Sequence, residues 1–563
     1  MAKELDRLVT DWQERHKEEF KKERRPEAEF LSDSGIPIKR VYTPLDLQDK
    51  KFDYARDLGM PGDYPYTRDS SAIGRRGQFP TVQSYAGYAT PEESNKAWLE
   101  LIRAGSGLAV IMIAYDLPTQ LGYDPDDERA QGEVGRVGIS LVSLRDWEIA
   151  FKGLDFNKTT VSQVSNALAA VGITSHIALA EAQGVNLKTL HGGCQNDVLK
   201  EYVCRGNYIY PIEHAVRLAI DTVSYCAEHA PKFETMQLAG QHFSEYQGTP
   251  VHDAAFMLAD AFCYIQAALD RGLDIDVIAP GVTFRSGIDH YTFFEEIAKL
   301  RAIRKIYSRV LKERFKARKP ESIIPKLAAA QGGNSLQREQ YLNNIARSTI
   351  CAMAGLLGGA PNVGLRAYDE QYGIPTAEAM IASTRIMHVV TQETGITDTI
   401  DPLAGSYFVE SLTAEFEERI LHELDTIEKQ GGAIRCIENG YMKRKLIQDS
   451  YEWQKAFEAG KIIRVGANFA NSEEQERPVR VYRADPKVEQ ERIESVKLLR
   501  KRRSNTKVKK ALDELKAMAS LPATASNNLM PAVKEAVKCY ATNGEIAGTL
   551  RVVWGEYTQR NII

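Results

Sequence analysis

Three stretches of this chain gather side chains that could do chemistry at close quarters. In Gln195-Asn196-Asp197-Val198-Leu199-Lys200-Glu201-Tyr202-Val203-Cys204-Arg205 an amide and a guanidinium would stand about three turns apart on one continuous helix. A loop leading into a helix could instead aim both at one ligand. A guanidinium is a planar fork that matches a carboxylate, and an ion pair of Arg205 with Asp197 or Glu201 would use the same fork without any ligand. In Ala239-Gly240-Gln241-His242-Phe243-Ser244-Glu245 a predicted strand runs into a small-residue turn. A histidine at a strand's C-terminal end can donate to a carbonyl or move a proton; it can also be a structural hydrogen bonder. In Phe79-Pro80-Thr81-Val82-Gln83-Ser84-Tyr85-Ala86-Gly87-Tyr88 two tyrosines flank a small Ala-Gly pair that would let a flat ligand approach the backbone, although tyrosines so spaced also serve cores and interfaces. No GxSxG, HExxH or Walker loop accompanies these stretches, and no cysteine pair is spaced for zinc, so no metal site is read. Gly-rich patches at Gln331-Gly332-Gly333-Asn334 and Leu357-Gly358-Gly359-Ala360-Pro361 read as tight turns or as phosphate cradles.

Such side chains need a scaffold. Gly107 to Tyr115 is an apolar run of strand length whose composition suits burial on both faces. Further strands are predicted at 136–142, 159–165, 235–241 and 276–284, with weaker ones near 324–330 and 362–366. Helical patterns lie between them at 92–104, 212–229, 254–271 and 293–312. Strands alternating with helices imply a parallel sheet, and so many units over about 300 residues favour a closed (β/α)8 barrel over an open doubly wound sheet. In a barrel the turns after the strands form the active face. An N-terminal helical arm (1–40) precedes the barrel region (41–410), and a helical region (411–563) follows it. There 412–431, 433–460, 486–518 and 529–540 read as helices.

Composition narrows the function. Lys+Arg 72 against Asp+Glu 76 argues against a dedicated nucleic-acid binder, and the basic cluster Lys497 to Lys510 carries no interleaved aromatics. Seven cysteines, an odd number without paired close spacing, read as reduced thiols. The first 25 residues hold no apolar segment and no run approaches 18 apolar residues, so neither a secretory signal nor a membrane span is expected. The expectation is a cytoplasmic protein.

Tyr64-Pro65-Tyr66-Thr67-Arg68, Tyr85-Ala86-Gly87-Tyr88, Tyr115-Asp116-Leu117-Pro118-Thr119, Gly122-Tyr123-Asp124, Gly132-Glu133-Val134-Gly135, Gln195-Asn196-Asp197 with Leu199-Lys200-Glu201, Ala298-Lys299-Leu300-Arg301 and Asp401-Pro402-Leu403-Ala404-Gly405-Ser406 follow one another in a recognisable order. From about residue 40 onward the chain resembles the large subunit of the adenosylcobalamin-dependent acyl-CoA mutases, the methylmalonyl-CoA mutase family. The resemblance implies a (β/α)8 barrel that admits the acyl group, and adenosylcobalamin held jointly with a cobalamin-binding domain. That domain's Asp-x-His-x-x-Gly pattern is not found here, so a separate small subunit is expected to supply it, in a hetero-oligomer such as α2β2. Carried over residue by residue, Tyr85 and His242 are the catalytic pair, Tyr85 acting in cobalt–carbon homolysis and His242 on the thioester carbonyl. Arg205 grips a free carboxylate, with Gln195, Thr81, Thr283, Gln78 and Gln83 also at substrate positions. Tyr115, Val137, Gly333, Glu370 and Gly373 fall where the family contacts the corrin or adenosyl group. Tyr85 with Arg205 favours a methylmalonyl- or ethylmalonyl-type substrate, rearranged by a radical 1,2-shift.

The chain also departs from the family pattern. Gln78 and Gln83 stand where arginines would hold CoA phosphates, Gly281 replaces a third arginine, and Ala328-Ala329-Ala330 replaces His-x-Gln. A charge-assisted hydrogen bond to phosphate contributes about 1.5–3 kcal/mol, so CoA would need other partners, with Arg285 and Arg366 as candidates. Two alternatives follow: a mutase for a bulkier or non-CoA carboxylic acid, and a non-catalytic corrin-binding subunit.

Overall fold

The computed structural model describes residues 2–23, 26–77, 82–103, 108–471 and 485–559. Within them lie β1 (Val82–Ala86), β2 (Leu108–Ile113), β3 (Thr160–Val164), β4 (Gly192–Gln195), β5 (Phe233–Glu234), β6 (Met236–Ala239), β7 (Val282–Ile288), β8 (Leu327–Gln331) and β9 (Val363–Gly364). They form two parallel sheets, in the orders β1-β2-β3-β4-β5 and β6-β7-β8-β9. Thr235 alone separates β5 from β6, β4 packs beside β6, and β1 packs beside β9.

Helices cover one face of each sheet, and strand alternation follows from that. Ile111 and Ile113 of β2 join the helix-side core with Trp98, Phe151 and Ile177. Val282, Phe284 and Ile288 of β7 do the same with Phe256, Ile303 and Tyr307. The alternate residues therefore line the space between the sheets, where polar groups meet across it. Ser162 Oγ on β3 lies 3.5 Å from Gln237 Oε1 on β6.

Several expected elements move. No strand forms over 136–142, because both edges of β2 are already taken by β1 and β3, and only an isolated Tyr115–Ile139 bridge remains. The strand expected at 276–284 starts at Val282, since the Asp274 side chain accepts from the Asp276 amide and opens a helical turn at Ile275–Ile278. The stretch 433–460 divides at Gly440, whose φ of 75° ends one helix before Tyr441 begins the next. The stretch 486–518 divides into Val488–Arg502 and Asn505–Ala519, and a further helix, Asn543–Trp554, follows the one at Met530–Lys538.

The N-terminal segment wraps the helices. Ser32 Oγ donates to Glu295 at 2.7 Å, and Lys50 pairs with Glu415 at 2.6 Å. Arg304, buried on helix Phe293–Glu313, donates to the carbonyls of Tyr66 (3.0 Å), Thr67 (2.7 Å) and Gly358 (2.7 Å). At the other end of the chain, two members of the basic cluster are held within the molecule: Arg500 pairs with Asp124 and Asp126, each at 2.6 Å, and Arg503 with Glu545. Among the described residues no helix is long and apolar enough to cross a membrane.

Arg304 thus ties residues 66–68 to the end of helix Asn344–Leu357. Arg304→Met should leave these carbonyls short of donors and lower stability by at least about 2 kcal/mol, measured by urea unfolding; an unchanged midpoint would count against the clamp.

Candidate functional site

Two groups of predicted residues converge on the C-terminal ends of the strands. The first surrounds a cavity of about 260 Å³ lined by Gly87, Ala114, Val137, Arg366, Glu370 and Gly373, among others. Gly87 allows its close floor, since a Cβ there would fall 2.1 Å from the Ala114 carbonyl oxygen. Gly373 adopts φ 144°, which a side chain would disfavour. Val137 is 59% exposed, an apolar residue standing in the open at the cavity. Burial pushes the Glu370 carboxyl above its ordinary range against the pull of Arg366, whose Nη1 lies 3.5 Å away. Gly333 sits next to this group. Its amide donates to Glu245 Oε1 at 3.2 Å, and its carbonyl accepts from Gln371. Tyr115 is buried behind the cavity, its hydroxyl donating to Gln163 Oε1 at 2.8 Å.

The second group lies deeper. Gln195 ends β4, and its Oε1 accepts from Asn166 Nδ2 (3.3 Å) and Lys200 Nζ (3.1 Å), which leaves Nε2 as the donor end. The chain then turns through a loop into the helical turn Glu201–Arg205, the loop-to-helix alternative rather than one continuous helix. The Glu201 carboxylate takes Lys200 Nζ at 2.5 Å, Arg205 Nη1 at 3.2 Å and the Asn207 amide at 3.0 Å. Arg205 therefore makes the ion pair with Glu201, and about a quarter of its side chain (24%) remains accessible. Asp197 instead turns away, accepting the Ala239 amide (3.0 Å) and the Tyr264 hydroxyl (3.3 Å); burial pushes its carboxyl up to about 6.

His242 falls in the first turn of the short helix Gln241–Glu245, just past β6, and not on the strand itself. Its Nε2 is 3.9 Å from Glu245, and its buried Nδ1 has no hydrogen-bond partner among the described residues. Burial holds its pKa well below 6.5, and the charges of Lys200, Arg205, Arg366 and Arg285 push it the same way. The ring is a neutral donor and acceptor. Arg366 links the two groups, donating to Glu245 at 3.1 Å and facing Glu370 at the cavity.

The turn carrying His242 is held from behind. Lys299 Nζ meets Asp253 Oδ2 (2.5 Å), Glu296 Oε2 (2.5 Å) and the Gly287 carbonyl (2.7 Å), and Asp253 also accepts the Gly287 amide at 3.1 Å. A Cβ at Gly240 would fall 2.1 Å from Asp253 Oδ1, and one at Gly287 2.1 Å from Ser244 Oγ. This support had no signal in the sequence beyond the string Ala298-Lys299-Leu300-Arg301, since Asp253 and Gly287 lie on other elements than Lys299 and Glu296.

Gln78 and Thr81 lie outside the described residues. The backbone register sets Gln83 opposite Val110 and Tyr85 opposite Met112. Thr283 stands on the inter-sheet side of β7, its hydroxyl buried and without a partner among the described residues.

The family model described as methylmalonyl-CoA mutase matches residues 31–556. The 2-hydroxyisobutanoyl-CoA mutase large subunit of Aquincola tertiaricarbonis is 34% identical over 98% of this chain and 96% of its own. The methylmalonyl-CoA mutases of Rhizobium meliloti and Escherichia coli are 34% and 33% identical, each over 98% of this chain and 76% of theirs.

The neutral state of His242 has a measurable consequence. Its folded pKa lies below 6.5, so on acidification the unfolded chain takes up this proton first, and stability falls as pH drops below 6.5 by up to about 1.4 kcal/mol per pH unit from this residue. His242→Gln should flatten that limb in urea unfolding across pH; an unchanged limb would mean that the ring protonates in place.

Proposed function

Because the chain belongs to the methylmalonyl-CoA mutase family of isomerases, we propose that it is the large, substrate-binding subunit of an adenosylcobalamin-dependent carbon-skeleton mutase. Its substrate in this reading is a short branched acyl group carrying a free carboxylate. The observation that carries the reading is the meeting of Gln195, Arg205 and neutral His242 beside a cavity that includes Val137, Glu370 and Gly373. The two sheets, adjoining at β4–β6 and at β1–β9, are read as one (β/α)8 barrel with the site at the C-terminal ends of its strands.

The cavity suits a large flat cofactor bearing a sugar: a floor without side chains at Gly87, an exposed apolar edge at Val137 and a carboxylate acceptor at Glu370. Val137, Gly333, Glu370 and Gly373 would hold it from this side, and a separate small subunit from the other; Tyr115, whose side chain is buried, would only back this wall. A relative whose name calls it a large subunit supports the reading of a divided enzyme, such as an α2β2 assembly in the cytoplasm. When bound, adenosylcobalamin supplies the radical that removes and returns one substrate hydrogen. The chain's own residues do the rest. Arg205 turns its fork to the free carboxylate while Glu201 steadies it. His242, uncharged, donates to the migrating carbonyl without giving up a full proton, and Gln195 Nε2 fixes the acyl chain. Tyr85 is assigned to the cofactor side of the substrate, and Thr81, Thr283, Gln78 and Gln83 to its tail.

A second reading, an acid that is not a CoA ester, is favoured by one feature of the interior. Gly281 and Ala328 stand where the family carries arginine and histidine, while Arg285 is drawn into the space between the sheets.

Two variants of the assembled enzyme test the assignment. His242→Ala should lower kcat by about 100-fold or more with cofactor binding retained in the visible spectrum. Arg205→Gln should cost about 10- to 100-fold in kcat/KM on carboxylated substrates and far less on uncarboxylated ones; equal loss on both would remove Arg205 as the selector. Purified alone, the chain should bind cobalamin weakly and turn nothing over, and strong activity without a partner would overturn the two-subunit reading.

A further inference from the structure

His242 and Glu245 stand three residues apart on one short helix, the spacing at which side chains on a helix meet. By that spacing alone the carboxylate and the imidazole would pair. They do not: Glu245 Oε2 stops 3.9 Å from His242 Nε2, beyond hydrogen-bond reach. The gap matters because a neutral imidazole has a single N–H. A ring that gave it to Glu245 would have none for a substrate carbonyl, and a ring that took up a second proton to serve both would be charged.

What holds Glu245 back comes from the chain after β8 and after β9. Its Oε1 accepts from the Gly333 amide at 3.2 Å and from Arg366 Nη2 at 3.1 Å. Arg366 is itself aimed. Its amide donates to Gln331 Oε1 and its Nε to the Gln331 carbonyl, each at 3.0 Å. Gln331, the last residue of β8, is fully buried; its Oε1 also accepts from Ser348 Oγ at 3.0 Å, and its Nε2 donates to Ser335 Oγ at 2.8 Å. Gly332 lets the acid lie against this turn, since a Cβ there would come 3.0 Å from Glu245 Cγ. Asn334 Nδ2 fastens the turn to the helix by donating to the Ser244 carbonyl at 2.9 Å. Arg366 also faces Glu370 Oε1 across 3.5 Å, so its guanidinium stands between a carboxylate at the cavity and one beside the ring. Without it, Glu245 would need to move only about 1 Å to close on His242.

We propose that Arg366 is a positioning residue that holds Glu245 off His242, so that the ring keeps its one N–H for the substrate carbonyl. The inference rests on the mutase reading of the site. The charged groups that reach the ring are Lys200 and Arg205 beyond β4, Arg285 on β7, Arg366 beyond β9 and Glu245 on its own helix. Burial and the four cations keep it neutral. A carboxylate in hydrogen-bond contact would oppose them, and typically raises the pKa of a partner by about one to three units.

Nuclear magnetic resonance of the full-length chain, labelled with 13C at histidine Cε1, tests the hold without cofactor or substrate. The His242 signal is identified by its loss in His242→Gln, and each variant is checked for an unchanged melting temperature. In the unaltered chain the signal should stay at its neutral position from about pH 8 down to about pH 5.5. Arg366→Met should bring a titration into that range, with protonation at least about tenfold easier. Arg366→Lys, which keeps the charge but not the fork, should fall between. Arg366→Met combined with Glu245→Gln should again stay neutral over the range. An unaltered ring that already titrates there, or an Arg366→Met ring that does not, overturns the proposal. A titration that persists in the double variant also overturns it, because the lost charge of Arg366 would then be the whole cause. In the assembled enzyme, with methylmalonyl-CoA and ethylmalonyl-CoA as probes, Arg366→Met should lower kcat by about tenfold or more while KM stays within about threefold. Unchanged kcat would overturn the link to the carbonyl. If the unaltered enzyme converts neither probe, the carboxylated acyl-CoA reading fails, and the resonance titration still decides whether Arg366 holds Glu245 off the ring.

Discussion

The Lys299 ammonium lies fully buried between Asp253, Glu296 and the Gly287 carbonyl. Removing three charges from water costs several kcal/mol each, and such a cluster survives only where every donor is matched. Here the ammonium donates to Asp253 and to the Gly287 carbonyl and forms an ion pair with Glu296, and burial pushes the Glu296 carboxyl up to about 7 even with Lys299 beside it. Asp253 passes the constraint to the sheet, since it also takes the Gly287 amide and the Ser286 hydroxyl. Gly240 and Gly287 have no room for a Cβ against Asp253 and Ser244. The end of β7 and the turn bearing His242 are therefore pinned to the two helices that carry the network, and the ring is aimed from behind.

In front of that ring the interior is charged unevenly. Lys200, Arg205, Arg285 and Arg366 all act on His242 in the direction that keeps it neutral. Carboxylates are present, but each is engaged: Glu201 by Lys200 and Arg205, Glu245 by Arg366 and the Gly333 amide. A pocket of this kind favours anions and keeps its histidine as a hydrogen-bond donor, not an acid. Burial is the main reason that the ring stays neutral, and the positive charges around it act in the same direction.

The legible elements are those in which charged residues interrupt the apolar ones at helical spacing. Ile212–His229 and Phe293–Glu313 appear within a residue of the expected bounds, because their sequences interleave apolar and charged residues at helical spacing, even though many of the charged ones are buried. Helix Ala169–Ala182 carries no periodic signal, since nearly every residue of it is buried and small side chains all round leave no period. β4 carries no signal for the opposite reason. Gly192 and Gly193 have no side chain to pattern, and their place is taken by Phe233 and Gln237 from neighbouring strands. At 136–142 an apolar alternation exists without a strand, because both edges of the neighbouring β2 are taken by β1 and β3.

By itself the sequence determined the chemistry available: which residues carry a fork, an imidazole or an amide, in what order, and in which family's pattern. It also determined the departures, for a missing arginine at 281 needs no structure to be seen. Only the tertiary structure decided how those groups are committed. Whether Arg205 points at Glu201 or Asp197, whether His242 is charged, and whether Arg285 faces helices or the space between the sheets depend on contacts over tens to hundreds of residues. A charge in a low-dielectric interior takes its energy from whatever surrounds it, and those surroundings come from strands and helices that lie far apart in the chain.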